Sequence, residues 1–331
     1  MKRIGFCFLL YLLFIHANAQ VEWINVDSLY QPLPLSMHVY RSTGLLDGKP
    51  NVMYYTVADL KDKNLRFTSD TSKNRRLTPA QFFEKDNHPI LVVNCSFFSF
   101  ATHQNLNIVV KKGRLLSYNQ QTITGKGKDT LTYFHPFFGA LGISKKRKAD
   151  VAWIYTDSSK RFPYATQFVM PSLHDSIKSP SLDYIKKNTS IAVGDYSGKS
   201  GFNSSSFSKW KMETAIGGGP VLLQDGEINI SNNEERKFGG DAVNNPEPRT
   251  AIGYTKDKKL IILVVEGRSK SAIGISLVQE ARILKSLGCV EALNLDGGGS
   301  TCMLINGKET NTPSGKGIER PVPSVFLIER K

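Results

Sequence analysis

The chain has 331 residues, of which 40% are hydrophobic and 22% charged, and this composition is typical of one large globular domain or two modest ones. Its 43 basic and 29 acidic residues give a formal charge of +14, which is compatible with an anionic substrate or with a cell-envelope surface. The basic residues are scattered rather than grouped with aromatic ones, so nucleic acid is not an expected partner.

Residues Met1–Ala19 have the pattern of a cleaved signal peptide. A basic start at Lys2 is followed by the apolar run Ile4–Ile15 and by the small-residue cleavage pattern of residues 17–19. The apolar run is too short to be a stable membrane anchor. We therefore expect export to the periplasm or the extracellular space, with Gln20 as the new N-terminus.

Three cysteines remain after removal of the signal peptide: Cys95, Cys289 and Cys302. Their number is odd and their neighbours are small or apolar, so buried free thiols are expected. A Cys289–Cys302 disulfide is the alternative. No pair of cysteines has the CxxC spacing of a zinc ribbon.

Residues 20–88 are predicted to form a β-rich lead-in region, which is either a separate small module or a set of edge strands. Strand-like stretches at 35–41 and 52–57 precede a short helix, with Thr78 as its N-cap and Pro79 at its first position.

The remaining residues, 89–331, are predicted to form the catalytic domain. Alternating and continuous apolar runs indicate an α+β fold, with a many-stranded mixed or antiparallel sheet and few helices packed on it. The clearest helix covers residues 276–287, with Ser276 as its N-cap and Gly288 as its end. Residues 158–208 are predicted to be long loops or an inserted lid, and 234–245 a mobile loop.

Polar side chains follow several apolar strands at the point where each strand ends. Asn94 follows one strand, Glu266 and Arg268 follow another, and Asp296 follows a third. The last of these begins the stretch DGGGST, in which bare backbone and two hydroxyl groups follow a carboxylate. If the strands lie in one sheet, these groups meet at one rim and build a polar pocket.

The residue types in this pattern favour the cleavage of a glycosyl phosphate or a related diester. The carboxylates are acid, base or nucleophile candidates, the arginines can clamp a phosphate, and glycine N–H groups can hold anionic oxygens. The carboxylates are Glu213, Glu266 and Asp296, and the arginines are Arg249 and Arg320. The histidines show no HExxH or HxH pairing, and neither GxSxG nor a Walker motif is present, so no cofactor or transition metal is expected. A calcium ion at the acidic rim is the alternative.

The order of several motifs resembles the phosphodiester glycosidase family. The matching segments are NCSFF (94–98), GGGPVLLQDG (217–226), PRTAIG (248–253), EGR (266–268), LNLDGGGST (293–301) and ERPVPS (319–324). The resemblance implies an exported enzyme that removes a sugar from a glycosyl phosphodiester. It also implies that a set of motif residues lines the pocket: Asn94, Gly218, Arg249, Glu266, Asp296, Gly298, Ser300 and Arg320. Two departures are Cys95, where the family has Gly or Ala, and residues 315–318, which lack the usual Asp-Gly-Gly.

The resulting hypothesis assigns a role to each candidate. Asp296 and Glu266 are the catalytic carboxylates, and Arg249 acts with Arg320 on the phosphate. N–H groups near Gly218 and Gly298 assist in holding the phosphate, and Asn94 and Ser300 position sugar hydroxyls. Glu213 and Arg268 are the further substrate-binding candidates. The substrate is a glycosyl phosphate or glycan, expected to be anionic. The rival hypothesis is a non-catalytic protein that binds carbohydrate or envelope glycan in the same pocket.

Overall fold

The computed structural model describes residues 21–73, 75–188 and 207–331. The predicted signal peptide lies outside these ranges, and so do residues 189–206 of the predicted loop or lid region. Within the described ranges, none of the helices has the length and apolar character needed to cross a membrane.

The described chain consists mainly of short strands. Those of the first half are β1 (Ile24–Asn25), β2 (Met37–Leu46), β3 (Lys49–Asp59), β4 (Leu65–Thr71), β5 (Leu91–Asn94), β6 (Val109–Lys111), β7 (Arg114–Ser117), β8 (Ile123–Thr124), β9 (Tyr133–His135), β10 (Phe138–Ile143), β11 (Ala149–Tyr155) and β12 (Tyr164–Thr166). Those of the second half are β13 (Leu173–Asp175), β14 (Ser208–Lys209), β15 (Thr214–Gly217), β16 (Val221–Gln224), β17 (Glu227–Ile228), β18 (Arg249–Thr255), β19 (Lys259–Val265), β20 (Cys289–Asn294), β21 (Met303–Ile305), β22 (Lys308–Glu309) and β23 (Ser324–Arg330).

Helices are few and short. They are α1 (Pro79–Lys85), α2 (residues 182–188), α3 (Asn232–Glu235) and α4 (Leu277–Ser286). The predicted mobile loop at 234–245 therefore overlaps α3, and it also contains the 3-10 turn Gly240–Val243.

The strands form four sheets. The largest has the order β1-β2-β3-β19-β18-β20-β16-β17, the second β14-β12-β11-β10-β15-β6-β7, the third β22-β21-β5-β23-β4, and the smallest β13-β9-β8. Every pairing among the described strands is antiparallel. The predicted α+β class with many strands and few helices is confirmed.

The main core lies where the three large sheets face one another. It joins Tyr54 of the first sheet, Leu141 of the second and Phe326 of the third, all of them buried. A second core lies between the largest sheet and α4, and a third between the β5 sheet and α1. Burial of apolar surface on both sides of the sheets explains why strands such as β5 and β19 are apolar throughout.

Helix α4 begins where its sequence predicted. The hydroxyl of Ser276 accepts a hydrogen bond from the Gln279 N–H (3.1 Å), and the Gln279 side chain accepts one from the Ser276 N–H (2.9 Å). This capping box satisfies two N–H groups that the helix itself leaves without a partner. Helix α1 has the same arrangement, with Thr78 as the N-cap.

The lead-in region is built into the sheets of the following domain. Strand β3 pairs with β19 over seven residue pairs, and β4 pairs with β23 over seven. Because β3 lies between β2 and β19, it is an interior strand of the largest sheet. The described residues before position 89 thus share their hydrogen bonds and core with the rest of the chain.

The three cysteines are free and buried. Cys289 lies in the core under α4, whereas Cys302 lies in the core under α1. The Cys289–Cys302 disulfide considered from the sequence does not form.

Candidate active site

Asp296 follows β20 at the rim of the largest sheet, where the chain turns toward β5. Its N–H donates to the Cys95 carbonyl (2.8 Å), and the next three residues enter the 3-10 turn Gly298–Ser300. Main-chain bonds to two different sheets therefore fix the start of the glycine turn. The carboxylate is held at a rigid position instead of on a free loop.

Asn94 lies behind this turn and is fully buried. Its Nδ2 donates to the Asp296 carbonyl (2.5 Å), while its Oδ1 accepts from the Thr250 hydroxyl and from the Cys302 N–H, both at 3.1 Å. All of these partners are protein atoms. The predicted role of Asn94 in holding sugar hydroxyls does not fit this placement, and the amide is a positioning residue for the Asp296 turn.

The side chains of Asp296, Ser300 and Arg320 form a chain of hydrogen bonds. The buried Ser300 hydroxyl bonds to the Asp296 carboxylate and accepts from Arg320 Nη1 (3.3 Å). The second carboxylate oxygen, Oδ2, is buried and has no hydrogen-bond partner among the described residues. One oxygen of Asp296 is thus anchored, and the other lacks a hydrogen-bond donor, while the residue as a whole is partly exposed.

Lys237 brings a second cation to this carboxylate. Its ammonium lies 3.7 Å from the centre of the Phe97 ring and 4.7 Å from that of Phe138, so two aromatic faces hold it. Burial lowers the pKa of Lys237 to about 8, against the opposing effect of the Glu235 and Asp296 charges. Burial also raises the pKa of Asp296 to about 6, although Ser300, Arg320 and Lys237 all act to lower it.

Glu235 supports the Lys237 segment from the interior. Its buried carboxylate accepts hydrogen bonds from the N–H groups of Gly139 (3.0 Å) and Val221 (2.9 Å), the Trp153 indole (3.2 Å) and the Ser231 hydroxyl (2.6 Å). Burial raises the pKa of this carboxyl. Because all four partners are donors, they favour the charged form, and Glu235 joins three strands to the short helix α3.

The two predicted glycine anion donors are already occupied. The N–H of Gly218 donates to the Gly139 carbonyl (3.0 Å), and that of Gly298 to the Pro248 carbonyl (2.8 Å). A Cβ on Gly218 would lie 2.3 Å from the Asn294 carbonyl oxygen, so this glycine is needed for close contact between strands. The prediction that these N–H groups hold a phosphate does not fit the structure.

Arg249 points away from Asp296 and into the protein. It is 4% exposed, and its guanidinium donates to the main-chain carbonyls of Ile275 (3.0 Å) and Asn245 (3.0 Å). Burial lowers its pKa, and the nearby Glu280 charge opposes that effect. In this arrangement Arg249 links the start of α4 to the segment before β18. Its predicted role as a phosphate clamp does not fit these buried main-chain contacts.

Arg268 stays at the rim. Its Nε donates to Glu247 (2.7 Å), and its Nη2 lies 3.1 Å from the position that a Cβ of Gly298 would take. The exposed guanidinium therefore lies beside the glycine turn. Its charge is paired with Glu247, so Arg320 and Lys237 are the cations whose charges act on Asp296.

The two other predicted carboxylates are separate from Asp296. Glu266 follows β19 at the same rim, where its Oε1 accepts from the Thr312 N–H (2.8 Å). Because β18 lies between β19 and β20, the two acids are about 10 Å apart at their Cα atoms. Glu213 precedes β15, whereas the glycines of the site follow that strand, so Glu213 lies at the opposite end of the sheet. Its predicted place in the same pocket is corrected accordingly.

Comparison with known proteins agrees with the order of motifs around this site. A sequence model of the phosphodiester glycosidase family matches residues 164–329, which is half of the chain. The chain belongs to this family. The resemblance predicted from the motifs is confirmed, and Asp296, Ser300, Arg320 and Lys237 all lie within the matched segment.

Individual relatives align over shorter segments. The N-acetylglucosamine-1-phosphodiester alpha-N-acetylglucosaminidase of Bos taurus is 35% identical over 101 residues, which is 28% of this chain and 19% of the bovine protein. An uncharacterized SPbeta prophage-derived protein, YomE of Bacillus subtilis, is 41% identical over 86 residues, which is 26% of this chain and 13% of YomE. The alignments thus span less than a fifth of either relative.

The fold is shared over a longer range than the sequence. The zebrafish N-acetylglucosamine-1-phosphodiester alpha-N-acetylglucosaminidase catalytic domain, auto-inhibited by its pro-peptide, superimposes with a TM-score of 0.56. That superposition covers 91% of this chain and 85% of the zebrafish chain at 19% identity. The shared fold thus extends beyond the half of the chain that the sequence model matches.

Sequence reasoning missed Lys237 and Glu235, two members of this candidate site. Both lie in a polar segment without helical or strand periodicity. The available signal was the aromatic residue Phe97 of the NCSFF motif, whose ring contacts the Lys237 ammonium. A cation on an aromatic ring is a contact between distant segments, which a local pattern does not reveal.

Among the described residues, one group of three potential metal ligands lies near the site. It consists of Cys302, Glu309 and Glu319, whose ligand atoms lie within 4.8 Å of one another. Glu319 already accepts a hydrogen bond from the Ala80 N–H (2.9 Å), and burial raises the pKa of the Cys302 thiol well above its usual range. A protonated thiol is a poor ligand for calcium, which prefers oxygen, so this group does not support the calcium alternative.

Gly299→Ala is expected to reduce activity by displacing Arg320. A Cβ at this position would lie 2.1 Å from Arg320 Nη2, so the guanidinium must leave the Ser300 hydroxyl. We expect kcat/KM to fall about 10²- to 10³-fold, the range for losing one hydrogen-bond donor to a developing anion. Sugar release from a sugar-1-phosphodiester measures the effect. The matched control is Gly44→Ala, because a Cβ there meets nothing within 4 Å. Equal activity of the two variants would contradict this position of Arg320.

Proposed function

We propose that this protein hydrolyses the bond between the anomeric carbon of a sugar and the phosphate of a glycosyl phosphodiester. The products are a free sugar and a phosphomonoester. One observation carries the proposal: the buried Asp296 carboxylate has one anchored and one unpartnered oxygen, and two cations, Arg320 and Lys237, face it. Membership of the phosphodiester glycosidase family supports the same reaction class.

In the proposed reaction, Asp296 is the base. With a pKa of about 6, its carboxylate is largely ionised at neutral pH and can take a proton from water as the water oxygen bonds to the anomeric carbon. The bond from that carbon to the phosphate oxygen breaks, and its electron pair leaves with the phosphate. Arg320 and Lys237 stabilise the charge that gathers there.

A phosphate leaving group needs little help from a general acid. The second pKa of a phosphomonoester is about 6, so the departing group is stable as an anion near neutral pH. This explains how a site with a single carboxylate among its cations can suffice. Glu266, about 10 Å away across β18, is assigned to the edge of the substrate site, where Thr312 holds its Oε1.

We also propose that the reaction takes place outside the cytoplasm. The support is the sequence pattern of Met1–Ala19, a basic start, an apolar run and a small-residue cleavage site. Mass spectrometry of the N-terminus of the protein recovered from the periplasm or medium tests this. A chain that begins at Gln20 is the expected result, and an intact Met1 on cytoplasmic protein would overturn it.

The test of the activity is incubation of the purified protein with methyl phosphodiesters of several sugar 1-phosphates in both anomeric forms. The methyl phosphodiester of alpha-N-acetylglucosamine 1-phosphate is tested first, because the bovine relative is named for that sugar. Release of free sugar together with methyl phosphate is the expected result. Binding without release from any member of the panel would favour the rival, a non-catalytic glycan-binding protein.

The pH dependence of kcat/KM is expected to be bell-shaped. Activity should rise through about pH 6 as Asp296 loses its proton and fall through about pH 8 as Lys237 loses its own. Lys237→Met should remove the upper limb. It should also move the lower limb to higher pH, because the Lys237 charge holds the pKa of Asp296 down. Initial rates of sugar release across this range provide the measurement. An activity that falls as pH rises through 6 would instead make Asp296 the acid.

A further inference from the structure

Two adjoining cavities lie at the end of the second sheet that is remote from Asp296. Their volumes are about 330 Å³ and 670 Å³, and they share Lys112, Lys145 and Glu213 in their walls. Lys112 comes from the turn between β6 and β7, Lys145 from the turn after β10, and Glu213 from the start of β15. We call the two cavities together the basic double pocket.

Apart from Arg66 and Lys331, six exposed cations line this double pocket: Lys112, Arg114, Lys145, Lys160, Arg161 and Lys211. None of the six forms an ion pair with a described residue. They come from four separate stretches of the chain, so the fold and not a local run of lysines gathers them. Unneutralised like charges repel one another, and a bound anion would remove that repulsion.

Other cations of the double pocket differ from these six. Arg147 donates to the main-chain carbonyls of Asp62 (2.7 Å) and Leu60 (3.1 Å), and Arg66 pairs with Glu329 (2.5 Å). They add positive charge, but protein oxygens already accept hydrogen bonds from Nη1 and Nη2 of Arg147 and from Nε of Arg66. The six side chains, which are free of ion pairs with described residues, therefore supply the contacts for a ligand, and Arg147 fixes the base of the cavity to the chain at residues 60–65.

Glu213 is the acid that these cavities share, and its Oε2 is buried without a hydrogen-bond partner. Gly218 is five positions further along the chain, so about 16 Å of extended chain lies between the double pocket and the Asp296 side of the sheet. The double pocket is thus a second site. Its two halves have room for several anionic groups spaced along a chain.

We infer that the basic double pocket binds an anionic polysaccharide, with its acidic groups on the six free cations. The choice of a glycan rests on the proposed function. The surface itself also disfavours single-stranded nucleic acid, which needs a series of aromatic platforms for successive bases. Of the aromatic lining residues, Phe67 is buried, and Phe162 lies between Arg161 (5.2 Å) and Lys211 (5.7 Å), measured to the ring centre. Tyr118, 41% exposed, offers one free ring face.

The test is fluorescence anisotropy with four labelled polymers at about 0.05 M and 0.3 M salt. The polymers are dextran sulfate, polygalacturonate, neutral dextran and single-stranded DNA. We expect binding of at least one acidic polysaccharide, weakened by salt, and none of neutral dextran. The sulfate and carboxylate arms distinguish the two sources of negative charge. Tighter binding of DNA than of both acidic polysaccharides, or no binding of either, would overturn the inference.

Matched variants locate the binding surface. Lys112→Gln with Lys160→Gln and Lys211→Gln should weaken binding roughly 30-fold, as the loss of three exposed charge contacts implies. Lys49→Gln with Lys308→Gln and Arg282→Gln removes the same charge from exposed positions elsewhere. An equal loss in both triple variants would overturn the inference, because net charge alone would then explain it.

Two single variants complete the test. Glu213→Gln removes the shared acid of the double pocket and should tighten binding severalfold, and weaker binding would count against this site. Asp296→Asn should bind the labelled polymer as tightly as the unmodified protein. Because anisotropy needs no turnover, a failure of the proposed hydrolysis and a failure of this inference remain distinguishable.

Discussion

Asp296→Asn is expected to reduce sugar release by about 10³-fold while the protein remains folded. The amide keeps the shape of the carboxylate and can still bond to Ser300, but it cannot accept a proton from water. Circular dichroism and thermal melting monitor the fold, and initial rates on the best substrate of the panel measure the loss.

The stability of this variant should change with pH in a defined direction. The pKa of Asp296 is raised from 3.8 to about 6 on folding, so the stability it contributes is present below pH 3.8 and is lost as pH rises through 6. Asparagine has no charge to bury at any of these values. The difference in melting temperature, Asp296→Asn minus the unmodified protein, should therefore be more positive at pH 8 than at pH 4.

A control with the same chemical change is Asp225→Asn, at the exposed turn between β16 and β17. It should retain full activity. Full activity in Asp296→Asn would remove the assignment of Asp296 as the base. A large drop in its melting temperature with parallel loss of activity would make Asp296 a structural residue.

Glu235→Gln is expected to destabilise the protein by about 3–5 kcal/mol, the cost of breaking a buried and fully hydrogen-bonded charged group. The carboxylate accepts from two N–H groups, an indole and a hydroxyl, and the new NH2 group must face one of these donors. Urea unfolding followed by tryptophan fluorescence measures the change, since Trp153 is one of the partners.

The neighbouring residue provides the matched control. Glu234 lies on the same short helix α3 but is partly exposed, so Glu234→Gln should change the free energy of unfolding by less than about 0.5 kcal/mol. Similar effects of the two variants would contradict the role of Glu235. Where Glu235→Gln retains activity, the upper limb of its pH profile should lie at lower pH, because the Glu235 charge raises the pKa of Lys237.

The elements that the sequence predicted well are those with a strong local signal. Helix α4 has an apolar stripe, a capping serine and a closing glycine, and β5 and β19 are continuous apolar runs. Asp296 and Ser300 were also predicted to share the site, because both belong to one glycine-rich stretch after an apolar strand, whereas the place of Arg320 beside them was implied by the family resemblance. These are properties of short segments, and they survive in the tertiary structure.

The features that the sequence did not predict depend on the directions in which side chains point and on contacts between distant segments. Residue types alone made Arg249 and Glu213 candidates. The side-chain direction of Arg249 on β18 is set by packing, whereas Glu213 lies before β15 and the glycines of the site lie after it, so chain order already separates them. Asn94 was assigned to substrate because it ends a strand, and its actual partners are two backbone groups and the Thr250 hydroxyl, all over 100 residues away. Lys237 needed the position of Phe97, which only the assembled sheets provide.

The pairing of β3 with β19 and of β4 with β23 has a practical consequence for protein production. A shortened chain that began near residue 89, or that kept only the segment matched by the family model, would leave β19 and β23 with unpaired edges and exposed apolar faces. Such a fragment should collect in inclusion bodies. Any trimming meant to help crystallisation should therefore stop before β2.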